Sequence, residues 1–194
     1  MIQICHAQTN ADLQEILNLQ GENSLYRISH EEKNTEGFVM VQHRMEDLKA
    51  FAEIAPQLIA KDDSVVCAYA LAMPRSLKKS IPMLIPMFDQ LDIIRHQGKS
   101  IADYNYITIG QVCIKKGYRG IRLFDQVYKA YKAEFETLYD FAITEISTSN
   151  IRSMRAHERV GFKIIHTFRD EFEEWNIVCW DWKNVLARIK LKQI

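Results

Sequence analysis

The stretch from Gln111 to Phe124, QVCIKKGYRGIRLF, runs as a β-type segment through a glycine-bearing turn into a helical pattern. A strand–loop–helix of this kind leaves the first N–H groups of its helix without intrahelical partners and presents them as a row. Such a row suits a phosphate-bearing, nucleotide-like ligand. A second constraint is Asn150 to Phe162, NIRSMRAHERVGF, a short helix that stops at a Gly-Phe pair with Gly161 placed as its C-terminal cap.

Length and composition bound what surrounds these two segments. At 194 residues with 47% apolar content, the chain suits a single domain spanning 1–194, with a sizeable core and room for an insertion. The formal net charge is zero, which argues against nucleic acid as a partner, because that binding needs clustered positive charge. No apolar run is long enough to span a membrane, and the opening MIQICHAQTNADLQ turns polar too soon for a secretory signal. Cys5, Cys67, Cys113 and Cys179 lack the paired spacing of a metal site, and three of the four lie in apolar, strand-like runs. A reduced, cytoplasmic protein without a metal is the expectation.

Periodicity supplies the elements. Ile2 to Ala7 reads as a strand, followed by a helix through Leu19 with Asn10 and Asp12 as cap residues. A second helix covers Met45 to Ile54 and ends before Pro56. Gln57–Lys61 and Ser64–Met73 read as a hairpin. Residues 74 to 104 carry two prolines in an apolar patch and are too long for a simple connection; a lid or binding loop and a helix covering one sheet face both fit. Tyr106 to Lys115 is a strand in which Gly110 marks a bulge or a close backbone approach. Leu123, Val127, Tyr131 and Phe135 recur at i, i+4 and predict a helix over Ile121–Thr137. Phe141–Ser147 is a strand, Asn150–Val160 a helix, and Phe162–Phe168 with Asn176–Trp182 the last two strands. The order predicts an α+β fold in one domain, a mixed sheet with helices on both faces.

Taken together, the two opening motifs resemble those of the GNAT superfamily of acetyl-CoA-dependent N-acetyltransferases, over roughly residues 106 to 165. The family's pyrophosphate loop, Arg/Gln-x-x-Gly-x-Gly/Ala, falls on Arg119, Gly120, Ile121, Arg122, Leu123 and Phe124. Arg119 and the preceding Tyr118 match, whereas Arg122 and Phe124 stand where the family has small residues. Arg122 would offset that by offering its charge to a phosphate, while the bulk of Phe124 would narrow the cradle. The family's later helix, Asn-x-x-Ala/Ser-x-x-x-Tyr-x-x-x-Gly-Phe, is met by Asn150, Ser153, His157, Gly161 and Phe162, with His157 in place of Tyr.

The resemblance implies a mostly antiparallel, V-shaped sheet, acetyl-CoA as co-substrate, and an amine acceptor, either a small molecule or a peptide N-terminus. Many such proteins pair as homodimers. It implies that the backbone of Val112, Cys113 and Ile114 pairs with the pantetheine arm as an added strand, that Asn150 bonds the cofactor's amide or a backbone group, and that Ser153 belongs to the same site. A lysine-like amine, with a pKa of about 10.4, costs roughly 4–5 kcal/mol to deprotonate at neutrality, so a positioned base is expected. Glu145 occupies the place of the base in relatives similar to the ribosomal-protein N-terminal acetyltransferases. By alternation it shares a face with Ile143 and Ser147, a partly apolar setting that raises a carboxyl pKa; a surface carboxylate at a sheet edge is the other reading. His157 would protonate the departing thiolate as an imidazolium, or simply pack. Cys113 has no His or Asp partner nearby in sequence and reads as an inert thiol. Arg152 and Arg155 would reach a 3′-phosphate or remain solvated, and the acidic turn Asp170, Glu171, Glu173, Glu174 with Phe172 and Trp175 would attract a cationic amine or merely solvate a hairpin. A catalytically inactive acyl-CoA-binding regulatory module is the alternative on the same scaffold.

Overall fold

Capping and turn chemistry place the first elements. In the computed structural model, which describes residues 1–29, 37–78, 82, 85–171 and 173–183, β1 (Ile2–His6) leads into α1 (Asn10–Glu22). The N-cap is Thr9, one residue before the expected cap. Its hydroxyl accepts from the Asp12 N–H, and the Asp12 carboxylate accepts from the Thr9 N–H, a closed capping box. α2 (Met45–Ile54) ends at Ala55, which is extended as the residue before Pro56 must be. β2 (Leu58–Asp62) and β3 (Val65–Pro74) form the expected hairpin.

The described residues of 75–103 form short regular elements. A 3₁₀ turn (Arg75–Leu77) precedes α3 (Ile85–Ile93), then the short strands β4 (Arg95–His96) and β5 (Lys99–Ser100) and another 3₁₀ turn, Ile101–Asp103. Leu77, Phe88, Leu91 and Ile101 are buried in the main core. Asp92 fixes the segment from within, taking Arg75 at 2.6 Å and Lys78 at 2.5 Å. This part of the chain therefore covers a sheet face.

β6 (Tyr106–Ile114), α4 (Leu123–Phe135), β7 (Phe141–Ser147), α5 (Ile151–Val160), β8 (Lys163–Arg169) and β9 (Glu174–Asp181) complete the chain. The seven-stranded sheet runs β1-β2-β3-β6-β7-β9-β8, and β6–β7 is its parallel pair. α1, α2 and the 75–103 segment pack on one face around Ile16, Phe51, Tyr69 and Phe141. α4 and α5 pack on the other around Val127, Tyr128, Ile107 and Val178. Gly161 closes α5 at φ +117, where a Cβ would lie 2.8 Å from Trp180 Nε1, so both conformation and space require glycine. No helix among the described residues is long and apolar enough to cross a membrane.

The feature that positions everything else is the short reach of the parallel pairing. β6 and β7 are paired only over Tyr106–Thr108 with Phe141–Ile143 and then part. The register of β6 against β3 shifts in the same place, Ala72 facing Ile109 but Leu71 facing Gln111, so Gly110 is the bulge that its position suggested.

Leu91 is fully buried at the point where α3 meets the core. Leu91→Ala should cost about 2–5 kcal/mol in urea unfolding. A loss below about 1 kcal/mol would show that the 75–103 segment does not belong to the cooperative core.

Candidate active site

The parted strands leave backbone groups with no strand opposite. The Lys115 N–H donates to Cys67 O on β3. Alternation along β6 then points the N–H and C=O of Cys113 toward β3 as well, and those of Val112 and Ile114 toward the open edge. The Ile114 carbonyl there accepts from Arg119 Nε at 3.0 Å. Val112 and Ile114 thus provide the edge that an extended, amide-bearing ligand can pair with, whereas Cys113, expected to share that role, faces the other way. Its thiol is buried and pushed up to about 12 by desolvation, which removes it as a nucleophile.

Along that edge lies a cleft of about 840 Å3, into which Arg119, Arg122, Arg152, Arg155 and Arg159 all face. Arg159 is held by Asp125 at 2.6 Å. Arg119 works as a brace, since its other guanidinium nitrogen donates to the Asn23 side chain at the end of α1. Gly120 sits at φ +84 and Arg122 at φ +61. The left-handed backbone at Arg122 is the reason a glycine is favoured at this place, and a larger residue holds it at a cost of about 1–3 kcal/mol. Arg122 carries its cation to the first turn of α4, whose leading N–H groups point into the same space. Phe124 does not close the cleft. Its ring lies tilted against Tyr128 at 4.6 Å and meets His157 edge-on at 5.1 Å.

A smaller cavity of about 110 Å3 opens between the parted strands, with Met40, Met87, Gln111, Glu145 and Trp175 around it. The Glu145 carboxyl is partly buried and has no hydrogen-bond or ion-pair partner among the described residues. Desolvation, helped by the Asp170 charge, raises its pKa to about 8. Gln111 ties one wall of the cavity, accepting from the Tyr69 hydroxyl and donating to Val41 O at 2.8 Å. Asp170 holds the Trp175 indole N–H at 2.9 Å at the lip.

No family model matches the chain, and no curated protein sequence does. Solved structures do match. A ribosomal-protein-alanine N-acetyltransferase from Brucella melitensis superposes with a TM-score of 0.59 at 18% identity, over 92% of this chain and 99% of that one. A putative acetyltransferase from Salmonella typhimurium, solved with acetyl-CoA, gives 0.61 at 14% identity over 94% and 95%. A GNAT-family acetyltransferase from Streptococcus agalactiae gives 0.60 at 14% identity over 93% and 95%. The chain has the GNAT acetyltransferase fold.

Within the GNAT frame the expected residues fall into three groups. Val112, Cys113, Ile114, Arg119, Gly120, Arg122, Leu123 and Phe124 line the cleft; Ile121 is exposed beside it. Asn150 and Ser153 line both cavities. Asn150 is a cap and a tie: its Oδ1 accepts from the Ser153 N–H at 3.2 Å, and its Nδ2 donates to Phe38 O at 3.2 Å. Of its two expected partners, the backbone group is the one it has.

His157 differs most from expectation. It is buried, and desolvation lowers its pKa to about 4, so the ring is neutral at pH 7 and the imidazolium acid is not the form present. Nδ1 lies 2.8 Å from Ser153 O, which can only accept, so the proton is on Nδ1. Nε2 then accepts from the Tyr128 hydroxyl at 2.6 Å. Sequence reading missed Tyr128, Gln111 and Asn23, whose partners are 29, 42 and 96 positions away. Phe172 of the acidic turn lies outside the described residues.

A carboxyl whose folded pKa is raised holds its proton in the folded state where the unfolded chain has already lost it. Between roughly the ordinary glutamate value and about 8, stability therefore falls as pH rises. Glu145→Gln should match the wild type near pH 4 and exceed it at pH 9, by more than the ~1.4 kcal/mol of one pKa unit. Parallel unfolding curves at the two pH values would refute the buried-carboxyl assignment.

Proposed function

We propose that the protein is a GNAT-type acyltransferase moving an acetyl group from acetyl-CoA to a primary amine by direct attack, with no covalent enzyme intermediate. What carries this reading is the placement of Glu145: an unpartnered carboxyl stands in a small cavity that shares its lining with an arginine-lined cleft. The Salmonella typhimurium protein of the same fold is described with acetyl-CoA.

The residues present suit that co-substrate. Arg122, Arg155 and the first N–H groups of α4 would hold its phosphates, Arg119 keeps the loop in place, and the Val112–Ile114 edge takes the amide-bearing arm. The thioester supplies the activated acyl group. Glu145, as carboxylate, removes the proton from the attacking nitrogen, and the Val112 N–H faces the place where the carbonyl oxygen gains charge.

Matching acidities support an α-amine acceptor. An α-amine has a pKa of about 7.7–8.0, close to that of Glu145, so the proton moves between them at little cost. A lysine-type amine would cost about 3 kcal/mol more. A narrow cavity with an acidic, aromatic lip at Asp170 and Trp175 suits a peptide N-terminus that begins with a small residue, and a ribosomal-protein-alanine N-acetyltransferase has the same fold.

Calorimetry should give binding of CoA to the wild type, and Glu145→Gln should bind CoA equally while losing about 10²–10⁴-fold in kcat. The wild-type rate should rise with pH through about 8 as Glu145 and the acceptor amine lose their protons, and Glu145→Gln should keep only the amine's share of that limb. CoA binding without turnover on any peptide or amine would select the regulatory module instead. Full activity in Glu145→Gln would displace the base.

A further inference from the structure

The cofactor cleft and the amine cavity share five lining residues: Phe38, Val39, Val112, Asn150 and Ser153. On the proposed acetyl-transfer reading, the reacting thioester must lie at this junction, because the acyl group comes from one side and the amine from the other. Two of the five bring polar side chains. Asn150 has both amide atoms engaged, as the α5 cap and on Phe38 O. Ser153 brings a hydroxyl.

That hydroxyl has a defined donor direction. His157 Nδ1–H is shared between Ser153 O at 2.8 Å and Ser153 Oγ at 3.3 Å. Ser153 O can only accept, so Nδ1 carries the proton and Oγ receives a share of it, while the Tyr128 hydroxyl donates to the bare Nε2. With its lone pair so occupied, the Ser153 O–H points its own hydrogen elsewhere, and Ser153 stands on the junction. The imidazole itself has no N–H left to offer.

We propose that Ser153 is a catalytic residue whose hydroxyl donates the hydrogen bond that receives the departing CoA sulfur, with His157 and Tyr128 as the positioning residues that orient it. The step balances as follows. The amine nitrogen forms the C–N bond, and the C–S bond breaks with its electron pair on sulfur. The proton from nitrogen goes to Glu145 and then to water. Ser153 keeps its proton and stabilises CoA as the thiolate, which takes a proton from solvent at or after release. Leaving-group stabilisation then falls to a serine one helical turn before the position where the fold's tyrosine is expected.

The test reads the thiol of CoA bound to the protein, by ultraviolet absorbance of the thiolate against pH, and needs no turnover. In the wild type the bound thiol should titrate below free CoA. Ser153→Ala should raise that value by about one unit, a tenfold loss of the kind a hydrogen bond to a charged group supplies. Ser153→Thr, which keeps the hydroxyl, should stay near wild type, and Tyr128→Phe should give a smaller rise by releasing the ring. Because Ser153 meets the Asn150 cap through its backbone N–H, Ser153→Ala leaves the helix start intact. Identical titrations in wild type and Ser153→Ala, with CoA bound to both, would overturn the serine assignment and leave acetyl transfer standing. Failure of the wild type to bind CoA would overturn both.

Discussion

Two parallel strands that stay together for three residue pairs and then separate create the debt around which this molecule is organised. Past Thr108 and Ile143, the facing edges of β6 and β7 no longer satisfy each other, and buried backbone groups without partners are costly. The protein settles part of this locally: the Thr144 hydroxyl donates to Ile109 O, and Arg119 donates to Ile114 O. The bulge at Gly110 resets the alternation, so that Val112 and Ile114 present the rest to the opening. An open edge flanked by cations is a template for a ligand that brings its own amides and phosphates.

Burial then sorts the ionisable groups near the opening into different states. Glu145 on β7 meets the apolar face of the sheet opposite Ile177 and rises to about 8, close to where a base has to work. His157 on α5, which lines the same small cavity, falls to about 4 and becomes a fixed neutral connector between Tyr128 and Ser153. Cys113 and Cys179 rise out of the reactive range, Cys113 to about 12. Desolvation of the charged form thus raises the Glu145 carboxyl, keeps the His157 ring neutral and takes the two thiols out of the reactive range.

Much of this was legible in the residues. The helix boundaries at Asn150 and Gly161, the bulge glycine, and the face that carries Glu145 all follow from local rules of capping and alternation, which act over a few positions. Harder to read were features set by contacts far apart in sequence. Arg119 matches the pyrophosphate-loop pattern, but its brace to Asn23 depends on where α1 ends. The charge state of His157 depends on its burial, and its tautomer on Ser153, with the Tyr128 hydroxyl then donating to the other nitrogen. The 75–103 segment leaves two readings open because its apolar residues have no clean period; Asp92, pairing with Arg75 and Lys78, and the burial of Phe88 and Leu91 tie it to a sheet face, while its Met87 lines the small cavity.

In the proposed function, the separated edge of β6 is the surface on which an acyl-CoA is held. Amide hydrogen exchange resolved to single residues, with and without CoA, reads that edge directly. The account predicts marked slowing at Val112 and Ile114 on adding CoA, with Cys113, already directed at β3, little changed. Unaltered exchange at Val112 and Ile114 under saturating CoA would contradict it.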